Sequence, residues 1–296
     1  MPIDRRRRIL VNDAEALTDA ALREAAAGLG LRVDAKIRLA DAVDIDRSGL
    51  SDEAFRYALR AHLDWVVSGL ATTRTEFGVE FDGPWHDTPE AQRKDAIKNE
   101  VCERLGLPIL RVNAAVLRPT AQRTVLAMLV ESWSVWQAFN AAQEAGTVAW
   151  DEPFDVLGFV DLDPDTGDLV VPLDLTAAVR RRIRRMAAAG VLASQHPTIA
   201  FTEARPDGQR GAVAFAWVRT SDGRVVIGHA RVRDYSFPPV LPTDLADSLA
   251  HLVLGDQLAR WREGDETVPV SAGEAEAMLP KLGRDPGWYG GDRAGP

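Results

Sequence analysis

The sequence predicts an α/β fold: a mixed sheet flanked by helices, followed by a smaller α+β C-terminal domain. Three observations predict it. His62 to Val67 and Glu76 to Asp82 alternate as strands about a hairpin-length loop, Gly69 to Thr75. Pro89 to Arg104 carries an apolar stripe, Ile97, Val101 and Leu105, at helical spacing, and Gly106 then stops it before the strand Pro108 to Val112. Beyond Gly146 the pattern changes to short strands around one arginine-dense helix.

In chain order, Asp13 to Leu29 places Leu17, Ala21, Leu22, Ala25 and Leu29 on a helix that ends at Gly28-Leu29-Gly30. Leu31 to Ala42 alternates in part and reads as a strand leading into a loop. Ser51-Asp52-Glu53 opens a polar turn or short helix. Pro119 to Ala145 is a long helix whose Trp133, Trp136 and Phe139 serve core or bridging packing. Leu157 to Val171 reads as a hairpin, Ala177 to Met186 as the arginine helix, and Asp244 to Trp261 as a closing helix. Between these helices, Thr198 to Phe201, Ala212 to Thr220 and Arg224 to Val232 read as strands, the last two joined by Ser221-Asp222-Gly223. From Glu263 onward the Gly-, Pro- and acid-rich composition predicts a flexible tail.

Composition narrows the function classes. No apolar run approaches the roughly 18 residues that span a bilayer, so no membrane association is expected. The basic start, Arg5 to Arg8, is followed by too short an apolar stretch for a signal-peptide core. The single cysteine, Cys102, forms no intramolecular disulfide and fits a reducing cytoplasm. A net charge of −9 excludes bulk attraction as a means of coating nucleic acid, but not a local basic groove. Of 35 basic residues only Lys36, Lys94, Lys98 and Lys281 are lysines, and two of these fall within one helical turn.

The most informative segment is Val79 to His86. Alternation sends Glu80 and Asp82 from one face of a strand, where adjacent like charges are costly. A hard divalent cation such as magnesium removes that cost. The hairpin brings Asp64 beside these acids, Lys94 and Lys98 project from one helical face at i, i+4, and His86 follows at the turn. Carboxylates to hold a metal, with a lysine or histidine to orient water or meet developing charge, are what phosphodiester hydrolysis requires. Each part has a plainer reading too. Asp82-Gly83 matches a turn cap, the two lysines match a solvated helix face, and His86 matches a solvent-facing histidine.

Four motifs in order resemble the restriction-endonuclease-like PD-(D/E)xK superfamily: His62 to Val67, Phe77 to His86, Arg93 to Lys98 and Gly106 to Val112. The resemblance is closer to a bacterial branch with an E-x-D-G-x-x-H signature, related to very-short-patch-repair-type endonucleases. It covers roughly residues 12 to 115 and includes Leu31 to Val43. It implies a restriction-endonuclease-like mixed sheet and a magnesium- or manganese-dependent endonuclease acting on DNA, in repair, restriction or phage defence. Asp64 matches the first metal-binding acid and Glu80 the second. Asp82 stands where that superfamily's lysine usually lies, which makes Lys98 the candidate replacement. His86 matches the signature histidine, and Arg111 matches a last-strand arginine with a structural or phosphate-contacting role. The alternative is a catalytically inactive nuclease-fold module that binds DNA or a protein partner.

The expected organisation is a nuclease-like domain over 1–118, a connecting helix over 119–150, an α+β domain of unknown role over 151–262 and a tail over 263–296. Expected nucleic-acid contacts are Lys94, Arg111, Arg181, Arg184 and Arg185. The arginine helix reads equally as a phosphate grip or a solvated face. Beyond DNA, the expected partners are a second copy of the chain or a helicase or other protein, because no ATP-binding loop is present. Asp161 to Asp168 superficially matches a calcium loop, but its glycine is one place late and a β-turn is the simpler reading.

Overall fold

The computed structural model describes residues 9–10, 12–82, 89–120, 123–156, 161–162, 169–170, 173–204, 211–279 and 289–290. They form two compact units, residues 1–158 with 235–239, and residues 159–234 with 240–296. Both are mixtures of helix and strand, as the sequence predicts, and among the described residues no helix is long and apolar enough to cross a membrane.

The first unit opens with α1 (Asp13–Ala26), capped by the Asn12 side chain, which accepts the Glu15 N–H. It continues through β1 (Leu31–Arg38), the short α2 (Leu39–Ala42), α3 (Asp52–Ala58), β2 (His62–Gly69), β3 (Thr75–Phe81), α4 (Pro89–Arg104), β4 (Ile109–Val112) and α5 (Val125–Glu144). The strands form one sheet in the order β1-β2-β3-β4, antiparallel except for the β3–β4 pair, which α4 connects. The sheet is therefore mixed. A helix follows β1 where a loop was expected, and α5 begins at Val125 rather than Pro119. Pro119 is instead bridged to Thr124, whose hydroxyl caps the helix.

Both sheet faces are covered. On one side Val66, Leu63 and Ile109 pack with Ala54 and Ala58 of α3 and with Val101 and Cys102 of α4. On the other, Phe77 lies 5.1 Å from Trp133 of α5 and 5.2 Å from Phe237, which returns with the 235–239 segment. Buried Trp65 donates its indole N–H to Asp19 of α1 at 3.0 Å. Trp133 does the same to Glu76 at 3.2 Å, so each indole fills the core without orphaning its donor.

The second unit contains β5 (Asp161–Leu162), β6 (Leu169–Val170), α6 (Ala177–Ala188), β7 (Thr198–Ala204), β8 (Gly211–Arg219), β9 (Val225–Arg233), α7 (Pro242–Arg262), α8 (Ala272–Met278) and β10 (Tyr289–Gly290). β5 and β6 pair antiparallel, and the turn between them, with most of the calcium-loop resemblance, lies outside the described residues. The larger sheet runs β10-β7-β8-β9. Ala272–Met278, placed in a tail by composition, form α8 because Ser271, the N-cap, and Glu274 close a reciprocal capping box.

Alternation along β8 explains how α7 docks. Ala212, Ala214 and Ala216 occupy one face, and Ala214 and Ala216 pair with Ala230 and Gly228 of β9. This strip of small side chains lets the helix backbone approach closely. A Cβ at Gly228 would stand 2.3 Å from both the Ala250 carbonyl oxygen and the Leu254 nitrogen. Gly228→Ala is therefore expected to cost about 2 kcal/mol or more, read as a fall of roughly 5 °C in Tm; an unchanged Tm would mean α7 does not sit this close.

His251 on α7 is 3% exposed and lies 3.4 Å from the Asp247 carboxylate one turn earlier. Burial pulls the imidazole pKa down, but the hydrogen bond and charge of Asp247 outweigh it and leave it raised. The pair's stabilisation is thus complete below the ordinary histidine value and disappears as pH rises through the raised one. Denaturant unfolding should show wild type exceeding His251→Gln most below the ordinary histidine value of about 6.5, with the gap closing as pH rises beyond it. A pH-independent gap would count against the imidazolium.

Candidate active site

The sheet's polar end is built by strand alternation and by where pairing stops. Regular β2–β3 pairing runs to Trp65↔Val79. Beyond it the Asp64 side chain takes over as acceptor, its Oδ2 receiving the Phe81 N–H at 2.9 Å. Glu80 on β3 and Asp82 just beyond its end leave towards α4 while Phe77 faces α5. In the parallel β3–β4 register Arg111 pairs with Glu80.

Each of the three acids meets its own cation. Lys98 Nζ donates to Glu80 Oε2 at 2.7 Å and to the His62 carbonyl at 3.1 Å. Arg111 donates to Asp82 Oδ1 at 3.1 Å and to Asn99 Oδ1 at 2.8 Å, with Asp95 3.8 Å away. Lys36 donates to Asp64 Oδ1 at 2.7 Å and lies 3.6 Å from Glu15. Glu80, Lys98 and Arg111 are all buried. Glu80 Oε1 is buried too and has no hydrogen-bond partner among the described residues.

The electrostatics follow from this burial. Desolvation pushes the Glu80 carboxyl above the usual carboxylate range, against the opposing pull of Lys98 and with a further push from the Asp64 charge. Desolvation works against the Lys98 ammonium as well, but the Glu80 charge prevails and keeps it protonated. Lys36 behaves likewise towards Asp64. Burial raises the nearby Cys102 thiol to about 12, which removes it as a nucleophile.

Of the residues the sequence singles out, the structure gathers Asp64, Glu80, Asp82, Lys98 and Arg111. Lys94 is not among them. It pairs with Glu90 on the outer surface, its side chain 62% exposed against 10% for Lys98. One helical turn separates the two lysines, yet α4 rotates only the second under the sheet. His86 lies outside the described residues. Arg181, Arg184 and Arg185 belong to the second unit.

Lys36 is the site residue that the motif reading missed. It sits at φ 56°, a conformation that costs a side-chain-bearing residue about 1–2 kcal/mol. The β1–β2 register passes from Ala35↔Trp65 to Ile37↔Leu63 without it, so the strand is locally distorted at this point. Its one sequence signal was rarity, as one of four lysines.

Asp64 and Glu80 carry the hard oxygen donors that magnesium or manganese takes, and the unpartnered Glu80 Oε1 fits that demand. Asp82 is committed to Arg111. Among the described residues no three His, Cys, Asp or Glu side chains gather as a metal-holding group.

A family model described as "Protein of unknown function (DUF2726)" matches residues 7–128, less than half of the 296-residue chain. That span contains Lys36, Asp64, Glu80, Asp82, Lys98 and Arg111. Comparison with curated proteins and with solved structures returned no match.

Lys98→Met would strand the Glu80 charge in a buried position. It is expected to cost on the order of 3–5 kcal/mol in denaturant unfolding, with most of the loss recovered when Glu80→Gln is added. Additive losses in the double variant would refute the coupling.

Proposed function

We propose that the first unit is a metal-dependent nuclease site that hydrolyses phosphodiester bonds in DNA. The observation that carries this reading is the Glu80–Lys98 pair: a buried carboxylate with one oxygen unpartnered among the described residues, beside a buried ammonium and within electrostatic reach of Asp64. A purely structural ion pair has no use for an orphaned oxygen, which costs about 1–3 kcal/mol to bury. Asp64 and Glu80 would hold magnesium or manganese, which when bound supplies Lewis-acid polarisation and an activated water.

The chain's own residues would do the rest. Lys98, kept charged by Glu80, is suited to meet negative charge developing on the phosphate. The Phe81 N–H fixes the orientation of Asp64. Arg111 keeps Asp82 in place and ties β4 to α4 through Asn99. Lys36 must share or release Asp64 when a divalent cation arrives.

A second reading has its own observation. Asp64, Glu80 and Asp82 are each already neutralised by a basic side chain, an arrangement that a nuclease-fold module without catalysis would also keep. Such a module would bind DNA or a protein partner.

With magnesium or manganese, the purified chain should cleave one of single-stranded, duplex, mismatched or modified DNA. Glu80→Gln, with circular dichroism unchanged, should lower the rate by about 100-fold or more. No cleavage of any substrate, together with no calorimetric ion binding and retained DNA binding, would select the module.

A further inference from the structure

The arginine helix α6 presents charge that the fold itself does not use. Val179, Ile183 and Met186, at i, i+4 and i+7, are buried and attach the helix to its unit. Two of its five arginines are spent locally: Arg180 pairs with Asp174, and Arg182 donates to the Gly255 carbonyl at 2.7 Å. The side chains of Arg181, Arg184 and Arg185 are exposed and make no hydrogen bond or ion pair with the described residues. Arg262, at the end of α7, is exposed and unpaired in the same sense.

Two of these side chains, Arg185 and Arg262, border one concavity, while Arg181 and Arg184 lie on the exposed helix surface outside it. Arg182, Arg185 and Arg262 line a cavity of roughly 410 Å³ floored by Met186 and Val191, with Glu263 the one acid on its wall. Arg185 and Arg262 lie in the last turns of α6 and α7, where the helix dipoles favour a positive charge. That leaves their guanidinium donors unused. In a chain of net charge −9, a run of unpaired guanidinium groups is a local exception that calls for an external anion.

We propose that this arginine face of the second unit, formed by Arg181, Arg184, Arg185 and Arg262, is a docking surface for the phosphate backbone of duplex DNA. Guanidinium forks match phosphate oxygens in geometry as well as charge. An anionic membrane is the poorer fit, because the helix's apolar stripe is buried in its own unit and nothing remains to insert. The choice of DNA among polyanions rests on the nuclease reading, while the anion-binding face stands on the arginines alone.

The test is binding of the full-length chain to a labelled duplex of about 20 base pairs in EDTA, followed by anisotropy across salt concentrations. Because metal is absent, it is independent of cleavage: a nuclease reading can fail with this surface intact, and the reverse. Four phosphate contacts predict a slope of log affinity against log salt near −3.6, or about a 150-fold loss between 50 and 200 mM. Replacing Arg181, Arg184 and Arg185 together by alanine should reduce the slope by about 2.7, and Arg262→Ala alone by about 0.9. The triple lysine variant should keep the slope, and all variants should keep the wild-type Tm. No duplex binding by wild type, or an unchanged slope in both alanine variants, overturns the proposal. So does capture of poly-glutamate or anionic vesicles in place of duplex.

Discussion

The buried ion pair between Glu80 and Lys98 is the constraint around which the first unit is arranged. Its side chains are 8% and 10% exposed, so neither charge can be solvated if the other leaves. The pair fixes the rotation of α4 about its own axis. Once Lys98 is aimed at β3, Val101 and Cys102 fall on the apolar core, while Asp95 and Asn99 fall beside Arg111. Ion pairs of this kind add little net stability compared with an apolar isostere. Their effect here is registry: they specify one seating of a helix whose apolar stripe alone would tolerate several.

Topology explains why the charged groups collect at one end of the sheet. β3 and β4 are parallel and joined through α4, so both finish at the same edge, and side chains there are not needed to fill the core. In open α/β sheets that edge, beyond the carboxyl ends of parallel strands, is where ligands bind. β2 runs antiparallel and contributes its beginning, which brings Asp64 to the edge that holds Glu80, Asp82 and Arg111. Three strands thus deliver four charged residues from 48 positions of chain, Asp64 to Arg111, to a single place.

The parts of this arrangement that follow local rules were legible in the sequence. Period-two alternation located β2 and β3, and the apolar stripe with Gly106, at φ 65°, located α4 and its end. That Lys98 meets the acidic strand was also legible, because the sequence singled it out on the helix that follows that strand. Other parts depend on pairing between distant residues. The union of Asp82 with Arg111 follows from the parallel register, which no local pattern encodes. The separation of Lys94 from Lys98 depends on a few tens of degrees of helix rotation. The return of residues 235–239 to the first unit has no compositional mark, and α8 was hidden because its capping box lies in a stretch whose average composition suggests a tail.

Lys36 shows how such a site can be both formed and reserved. Its left-handed backbone carries a strain of about 1–2 kcal/mol that does not vanish when its ammonium moves away. The contact with Asp64, with Glu15 nearby, is what makes that conformation worth holding. On the proposed reading, a divalent cation competing for Asp64 would bring two charges against one and would also find Glu80 Oε1, which has no hydrogen-bond partner among the described residues. Under the proposed metal-dependent reading the ammonium would be a placeholder: it keeps Asp64 aligned and the sheet edge neutral, yet meets only one of the two carboxylates. Of the three acid–cation pairs, Asp64–Lys36 is the most exposed, at 23% and 27% of the side chains, against 2% and 10% for Arg111 and Asp82. Water can solvate Lys36 as it withdraws, a route closed to Arg111 and Lys98. If any of the three cations yields to a metal, burial selects Lys36.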